Sequence, residues 1–309
     1  MSAETSLPPS RTRLPKTLGR IIRPVAGFAG SSGQAALAVA IVTLVLTISL
    51  LAFGAYAMDT HITAFDPLKM NIRARLDPPS AEHWMGTDKI GRDMLARVVA
   101  GSWISLSVSF AVLTVAAVIG TSFGLIAGYA GGLADEILMR VTDLFLAFPA
   151  LILAAAIAAS FGGGMLSTTI ALSAVFWPWY ARLIRSRILS LKEQEFIAAA
   201  RCMGASHLRL IFSDLLPMVW PLVIVQATTD VGFVILAASG LSFLGLGAQP
   251  PTPEWGAMIF DSLTHQPASW WLAVFPGGAI ALVAIGFNLL GDSLRDHLDP
   301  SLGASEAGI

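Results

Sequence analysis

An all-α polytopic membrane protein is the fold class this sequence predicts, and three observations predict it. Hydrophobic residues make up 55% of the chain, charged residues only 13%, and mean hydropathy is +0.72, far from the mix of a soluble domain. The stretch 98–134 contains no Asp, Glu, Lys or Arg, whereas a buried helix of a soluble protein rarely needs more than about 14 apolar residues in a row. The remaining apolar sequence also falls into segments of about 20 residues, the length set by ~30 Å of hydrocarbon and ~1.5 Å of helical rise per residue.

Six segments reach that length. The first, 35–57, is free of charge and follows a basic arm, 1–34, carrying Arg11, Arg13, Lys16, Arg20 and Arg23. That arm is too long, and the apolar run too extended, for a cleaved signal peptide. A polar segment, 58–101, leads to a second span at 102–129. The glycine-rich AGYAGG then lets the chain reverse into a third span, 135–160, where Pro149 predicts a kink. The FGGGMLS turn precedes a fourth span, 166–184. After a charged island come a fifth, 218–238, a loop at 239–271 and a sixth span, 272–294. The last five spans form a core over 102–295, and 296–309 is a tail.

Lys and Arg near the spans set the expected orientation. The amino-terminal arm is basic, the island carries Arg182, Arg185, Arg187, Lys192, Arg201 and Arg209, and the loop 239–271 has none. Both termini and the island are therefore expected to be cytoplasmic. The segment 58–97 carries Lys69, Arg73, Arg75, Lys89, Arg92 and Arg97 yet falls outside, and its length and matching acids relax the rule there. Cys202 has no partner cysteine in this sequence, and the five histidines are scattered without ligand spacing, so no metal site is indicated.

Within the island, Phe196, Ala199, Ala200, Met203, Leu208 and Ile211 recur at near-helical intervals, with Lys192, Glu193, Glu195, Arg201 and Arg209 between them. Gly204 breaks the pattern, Ser206 can cap a second short helix ending before Pro217, and the unit reads as helix, turn, helix. Such a pair can present an apolar knob with a charged rim to a groove on another protein. A helix lying on the lipid surface has the same pattern, and periodicity does not separate the two.

The segment 195–217, EFIAAARCMGASHLRLIFSDLLP, resembles the EAA loop of permease subunits of bacterial ATP-binding-cassette importers, with Ala199, Ala200, Gly204, Leu216 and Pro217 on matching positions. Ala198 replaces the leading glutamate of that pattern and Asp214 its isoleucine. GTDKIGRDMLARVVAGSWISL, 86–106, resembles the GTDxxGRDxxSR signature of the dipeptide, oligopeptide and nickel permeases, with Ala96 in place of serine. LSFLGLGAQPPTPEWGAMI, 241–259, and FNLLGDSLRDHLDP, 287–300, resemble further segments of the same family, in the family's order.

The resemblance implies a type I importer permease whose EAA loop, 185–217, acts as a cytoplasmic coupling helix. It implies as partners a second homologous permease, two cytoplasmic ATPase subunits and an external or periplasmic solute-binding protein, in the bilayer of a bacterial inner membrane; nothing points to nucleic acid. ATP and magnesium would sit on the ATPases, since this chain has no phosphate-cradling GxxxxGK[ST] loop, and the chain itself would be neither an enzyme nor a cofactor carrier. Glu195, Phe196, Ala199, Ala200, Met203, Gly204, Leu208 and Pro217 are the expected ATPase-coupling positions. The small residues Ala198, Ala199, Ala200 and Ala205 permit close approach, or simply favour helix. Of the possible cargoes, GAQPPTPEWG looks most like the dipeptide branch, although nickel, glutathione-like and sugar-related members share the framework.

Asp230 lies near the middle of the fifth span, where an exposed carboxylate would cost about 2.5–3.5 kcal/mol. It either lines the translocation route, drawing the amino end of a peptide, or is a helix-contact residue with Thr228 and Thr229. Arg140 and Asp143 are placed for a local ion pair. Trp177, Trp179, Tyr180, Trp270 and Trp271 sit where interfacial aromatic belts occur. The PPTPEWG elbow, with Pro251 and Trp255, is a candidate docking surface for the binding protein together with Asp88, Arg92 and Asp93, although Arg92 and Asp93 could equally anchor the entry into the second span. An ion-driven secondary transporter would need more mid-membrane ionisable groups than Asp230. A membrane enzyme would need more than the neighbouring Asp59, His61 and Asp66, which lack a recognisable spacing.

Overall fold

The computed structural model describes Phe28 and residues 32–298, so the basic residues of the amino-terminal arm and most of the tail lie outside the described residues. Among the described residues every regular element is helical, apart from an isolated bridge between Thr87 and Asp93. Helix α1 (Gly33–Ala57) starts where the Ser32 hydroxyl accepts from the Ala35 amide at 3.0 Å. Helix α2 (Met94–Ala130) starts inside the segment 58–101, because the Asp93 carboxylate caps it there, accepting from the Ala96 amide at 2.7 Å. Its 37 residues extend about 55 Å, so its ends project beyond the ~30 Å hydrocarbon layer. Gly131, at φ 65°, ends it in a conformation glycine adopts freely.

The third expected span is not one kinked helix. Helices α3 (Gly132–Leu146) and α4 (Ala150–Ser160) meet at 89°. Pro149 stands at the break, where its ring and missing N–H weaken a continuous helix and restrict Phe148 before it, although Pro178, Pro221 and Pro276 are accommodated inside other helices. Helices α5 (Met165–Leu191), α6 (Glu195–Cys202), α7 (His207–Phe243), α8 (Trp255–Ser262) and α9 (Trp271–Leu298) follow. By length and composition α1, α2, α7 and α9 can cross a membrane, and the bent α3–α4 pair makes a fifth crossing if it counts as one. The expected six are therefore not reproduced exactly: α5 is 27 residues long but polar over Trp177 to Arg187. Its Tyr180, Ala181, Ile184 and Ile188 are buried against the bundle, while Arg182 and Arg187 stand exposed on its other side.

That burial begins with Gly120, Gly124 and Gly128, four residues apart on one face of α2. A Cβ at Gly124 would stand 2.6 Å from the Ala181 carbonyl, and one at Gly128 2.8 Å from Ile188 Cβ, so α2 and α5 meet backbone to backbone. Helix α7 is seated on α9 in the same way: a Cβ at Gly232 would lie 2.7 Å from Ala284 Cα, and Gly291 leaves no space beside Thr229. Two tightly joined pairs, α2–α5 and α7–α9, thus frame the bundle, with α1 packed against α2 and α9.

Candidate functional site: the projecting helical island

The island hangs between the ends of α5 and α7. After α5 ends at Leu191, Gln194 opens α6 and the chain turns at Gly204, whose φ of 81° is the left-handed value that the broken pattern predicts. The Ser206 hydroxyl then accepts from the Arg209 amide at 3.3 Å and starts α7. The second helix does not stop before Pro217. It passes through a π-helical turn, Leu210–Leu215, and continues into the fifth span with Pro217 in the first α-helical turn that follows, where a missing N–H is tolerated.

Burial divides the island's apolar residues. Ile197 and Leu210 are its roots, at 0% and 1% exposure, whereas Phe196 is 41%, Met203 81%, Leu208 68% and Phe212 61% exposed. Glu195, Ala199, Gly204 and Pro217 are exposed as well, and Ala200 is half-buried. The structure therefore leaves the expected coupling residues other than Ala200 exposed, and leaves Phe212, which periodicity did not single out, exposed as well; Ile211 is half-buried. The island is tied back to the α2–α3 turn. Lys192 Nζ donates to the Gly128 carbonyl at 3.0 Å, Tyr129 Oη and His207 Nδ1 are 2.6 Å apart, and the Arg201 guanidinium lies 5.8 Å over the Tyr129 ring. Arg185 forms a two-bond fork with Asp135 at 2.5 and 2.6 Å. These tethers link residues 50 to 78 positions apart, and no short-range pattern marks them.

Other expectations are redistributed. Arg140 does not pair with Asp143: it reaches Glu136 at 3.7 Å, one helical turn away, while Arg182 of α5 takes Asp143 at 2.6 Å. Trp177 packs between Phe123 and Phe145, and Tyr180 and Trp271 are likewise buried, so of the five aromatic residues assigned to interfacial belts only Trp179 and Trp270 are exposed. Asp230 is half-buried. Tyr180 Oη donates to one carboxylate oxygen at 2.9 Å and Gln226 Nε2 to the other at 2.9 Å, while Thr228 and Thr229 donate back to their own helix.

At the opposite end, residues 58–93 and 244–270 form a plate over the bundle. Asp88, Arg92, Asp93 and Trp255, expected as part of a docking face, are buried there. Arg92 Nε donates to Asp88 at 2.6 Å, Asp93 caps α2 and meets His83 Nδ1 at 2.8 Å, and Trp255 Nε1 donates to the Val98 carbonyl at 2.9 Å. Arg97, which the sequence marks only by its charge, joins these parts: Nη1 donates to the carbonyls of Pro67 and exposed Pro251 at 3.3 and 3.5 Å. Asp59, His61 and Asp66 line one open cavity of about 470 Å3 beside Tyr56 and Trp103. No group of three metal-ligating side chains occurs among the described residues.

A helical bundle of membrane-crossing length, plated at one end and bearing exposed apolar side chains at the other, defines a polytopic membrane protein. Residues 120–304 match the family described as binding-protein-dependent transport system inner membrane component, and the chain belongs to that family of transport permeases. It is 45% identical over 263 residues to the dipeptide transport system permease protein DppC of Alkalihalophilus pseudofirmus, covering 85% of this chain and 86% of the relative. The nickel transport system permease protein NikC of Escherichia coli is 41% identical over 79% of this chain and 88% of its own. The glutathione transport system permease protein GsiD of Pectobacterium atrosepticum is 44% identical over 72% of this chain and 74% of its own. In fold, the chain resembles an inward-facing structure of the MetNI methionine ABC transporter, with a TM-score of 0.56, 18% identity, and coverage of 67% of this chain and 98% of that one.

Proposed function

We propose that this chain is one of two homologous permeases in an ATP-driven importer of di- or oligopeptides in a bacterial inner membrane. The observation that carries the coupling role is the exposed surface of Phe196, Met203, Leu208 and Phe212 on a helix pair rooted between α5 and α7. Apolar side chains of this size, ringed by charge, are the anchors a partner's groove takes. In this reading an ATPase subunit holds the island, ATP and magnesium are bound there, and closure of the ATPase pair pulls α5 and α7 as a lever. Both termini and the island face the cytoplasm, and the plate faces a solute-binding protein outside. Peptide cargo is taken from the DppC relative, which matches over most of both chains.

The test is a pull-down of the tagged chain from solubilised native membranes, alongside Gly204→Asp, which forces a side chain into φ 81°. Recovery of a second permease and ATPases, with the ATPases lost from the variant, supports the reading. Recovery of the chain alone, unaltered by the variant, returns the island to a membrane-surface helix.

A further inference from the structure

Three helices meet at Tyr180. Its side chain is fully buried on α5, its Cβ lies against Gly120 of α2 where no side chain fits, and its hydroxyl donates to Asp230 of α7. Asp230 is equally constrained: Gln226 holds its second oxygen, while its neighbour Thr229 abuts Gly291 and nearby Gly232 abuts Ala284 of α9. Among the described residues, Tyr180 to Asp230 is the only side-chain hydrogen bond joining α5 to α7. It therefore connects the two tightly packed pairs, α2–α5 and α7–α9, near the middle of the spans from which the island hangs.

We infer that Tyr180, Asp230 and Gln226 form an inter-span clamp that makes α5 and α7 move as one body when the island is displaced, so that Tyr180 and Asp230 are positioning residues for transport rather than contacts for the cargo. The physical reason is the cost of separation. Pulling the spans apart leaves the phenol and one carboxylate oxygen unpaired in a low-dielectric setting, where an unmet hydrogen bond is expensive. The Phe176 and Phe233 rings also meet between these helices, with centroids 5.7 Å apart, but such a contact is less directional than a hydrogen bond and resists sliding less. A force applied through the island is then shared by both spans instead of being lost as shear between them. The inference rests on the permease reading above.

The experiment compares the purified parental complex with Tyr180→Phe, which removes the phenol oxygen and leaves the carboxylate in place. Proteoliposomes carrying the external binding protein are supplied, in separate runs, with labelled alanyl-alanine, lysyl-alanine or glutamyl-alanine, and uptake is divided by ATP hydrolysed. The clamp predicts an assembled complex that still hydrolyses ATP while uptake per ATP falls about tenfold, the shift that one hydrogen bond to a charged group supports. An unchanged ratio overturns it, and so does a loss that appears only for some peptides, because that outcome places Asp230 in the cargo route.

If Tyr180→Phe does not assemble, Gln226→Leu keeps the phenol and loosens the carboxylate, with about a threefold fall expected. If the parental complex moves no dipeptide, the cargo reading has failed and a cargo-free readout decides the clamp. In a Cys202→Ser background, nitroxides at Trp179→Cys and Leu236→Cys, both exposed positions, report the α5–α7 spacing with and without vanadate-trapped nucleotide. The clamp predicts a spacing that stays fixed in the parent and splits in Tyr180→Phe; identical spectra overturn it.

Discussion

At the plate end of the bundle, charged side chains are buried and paired, whereas at the island end large apolar side chains stand in the open. Asp88, Arg92, Asp93 and Arg97 are all less than a tenth exposed, and each has a partner from another turn or segment. The plate is thereby a finished interior, with Arg97 reaching two loops that are far apart in sequence. The island has the opposite economy: Ile197 and Leu210 root it, a few long-range tethers hold it, and Met203, Leu208 and Phe212 are left uncovered. A surface that exposes clustered large apolar residues is incomplete without a partner. In the proposed reading, the plate is covered by its own chain and the island by a partner.

The most severe way to break this contrast is Asp88→Ala. It leaves Arg92 and Arg97 buried without their shared carboxylate and also removes the acceptor for the Ile90 and Arg92 amides. A loss of about 3–5 kcal/mol is expected, the cost of breaking a buried pair. Thermal unfolding of the detergent-solubilised chain checks it, and a melting profile equal to the parent would show that the plate is not self-supporting. Next comes Met203→Asp with Leu208→Asp. These exposed changes are expected to leave the melt unaltered and to weaken ATPase retention by about 2 kcal/mol or more, roughly thirtyfold, as removal of buried interface anchors does. Co-purification at increasing detergent wash measures it. A changed melt with intact retention would reverse the assignment of the two ends.

The smallest effect sharpens the comparison instead. Tyr129→Phe removes the hydroxyl that meets His207 but keeps the ring beneath Arg201. About 1 kcal/mol is expected at most, because the bond is exposed and exchanged with water. Limited proteolysis of the island should quicken by no more than about fivefold, while the plate's melt stays in place.

The sequence was legible wherever physics acts locally. Run length and composition gave the helical membrane class, the glycine at 204 and the serine at 206 gave the helix-turn-helix of the island, and Pro149 marked the break between α3 and α4. Legibility failed where the outcome depends on what lies across the bundle. Pro149 as a single residue does not state an angle of 89°, and the partners of Arg182 and Arg185 on α5 lie on another helix, at Asp143 and Asp135. Arg140 and Asp143 were paired by spacing, yet Arg182 on another helix is the partner of Asp143.

By itself, the sequence determined that this chain lives in a membrane as helices and carries a capped, glycine-broken island, since transfer free energy, backbone conformation and capping act over a few neighbouring residues. Only the tertiary structure decided which residues of that island are exposed, that Asp88, Arg92 and Asp93 are buried and paired, and that Asp230 is held by Tyr180 fifty positions away. Those outcomes are set by close packing and pairing between distant segments, and such contacts have no period along the chain.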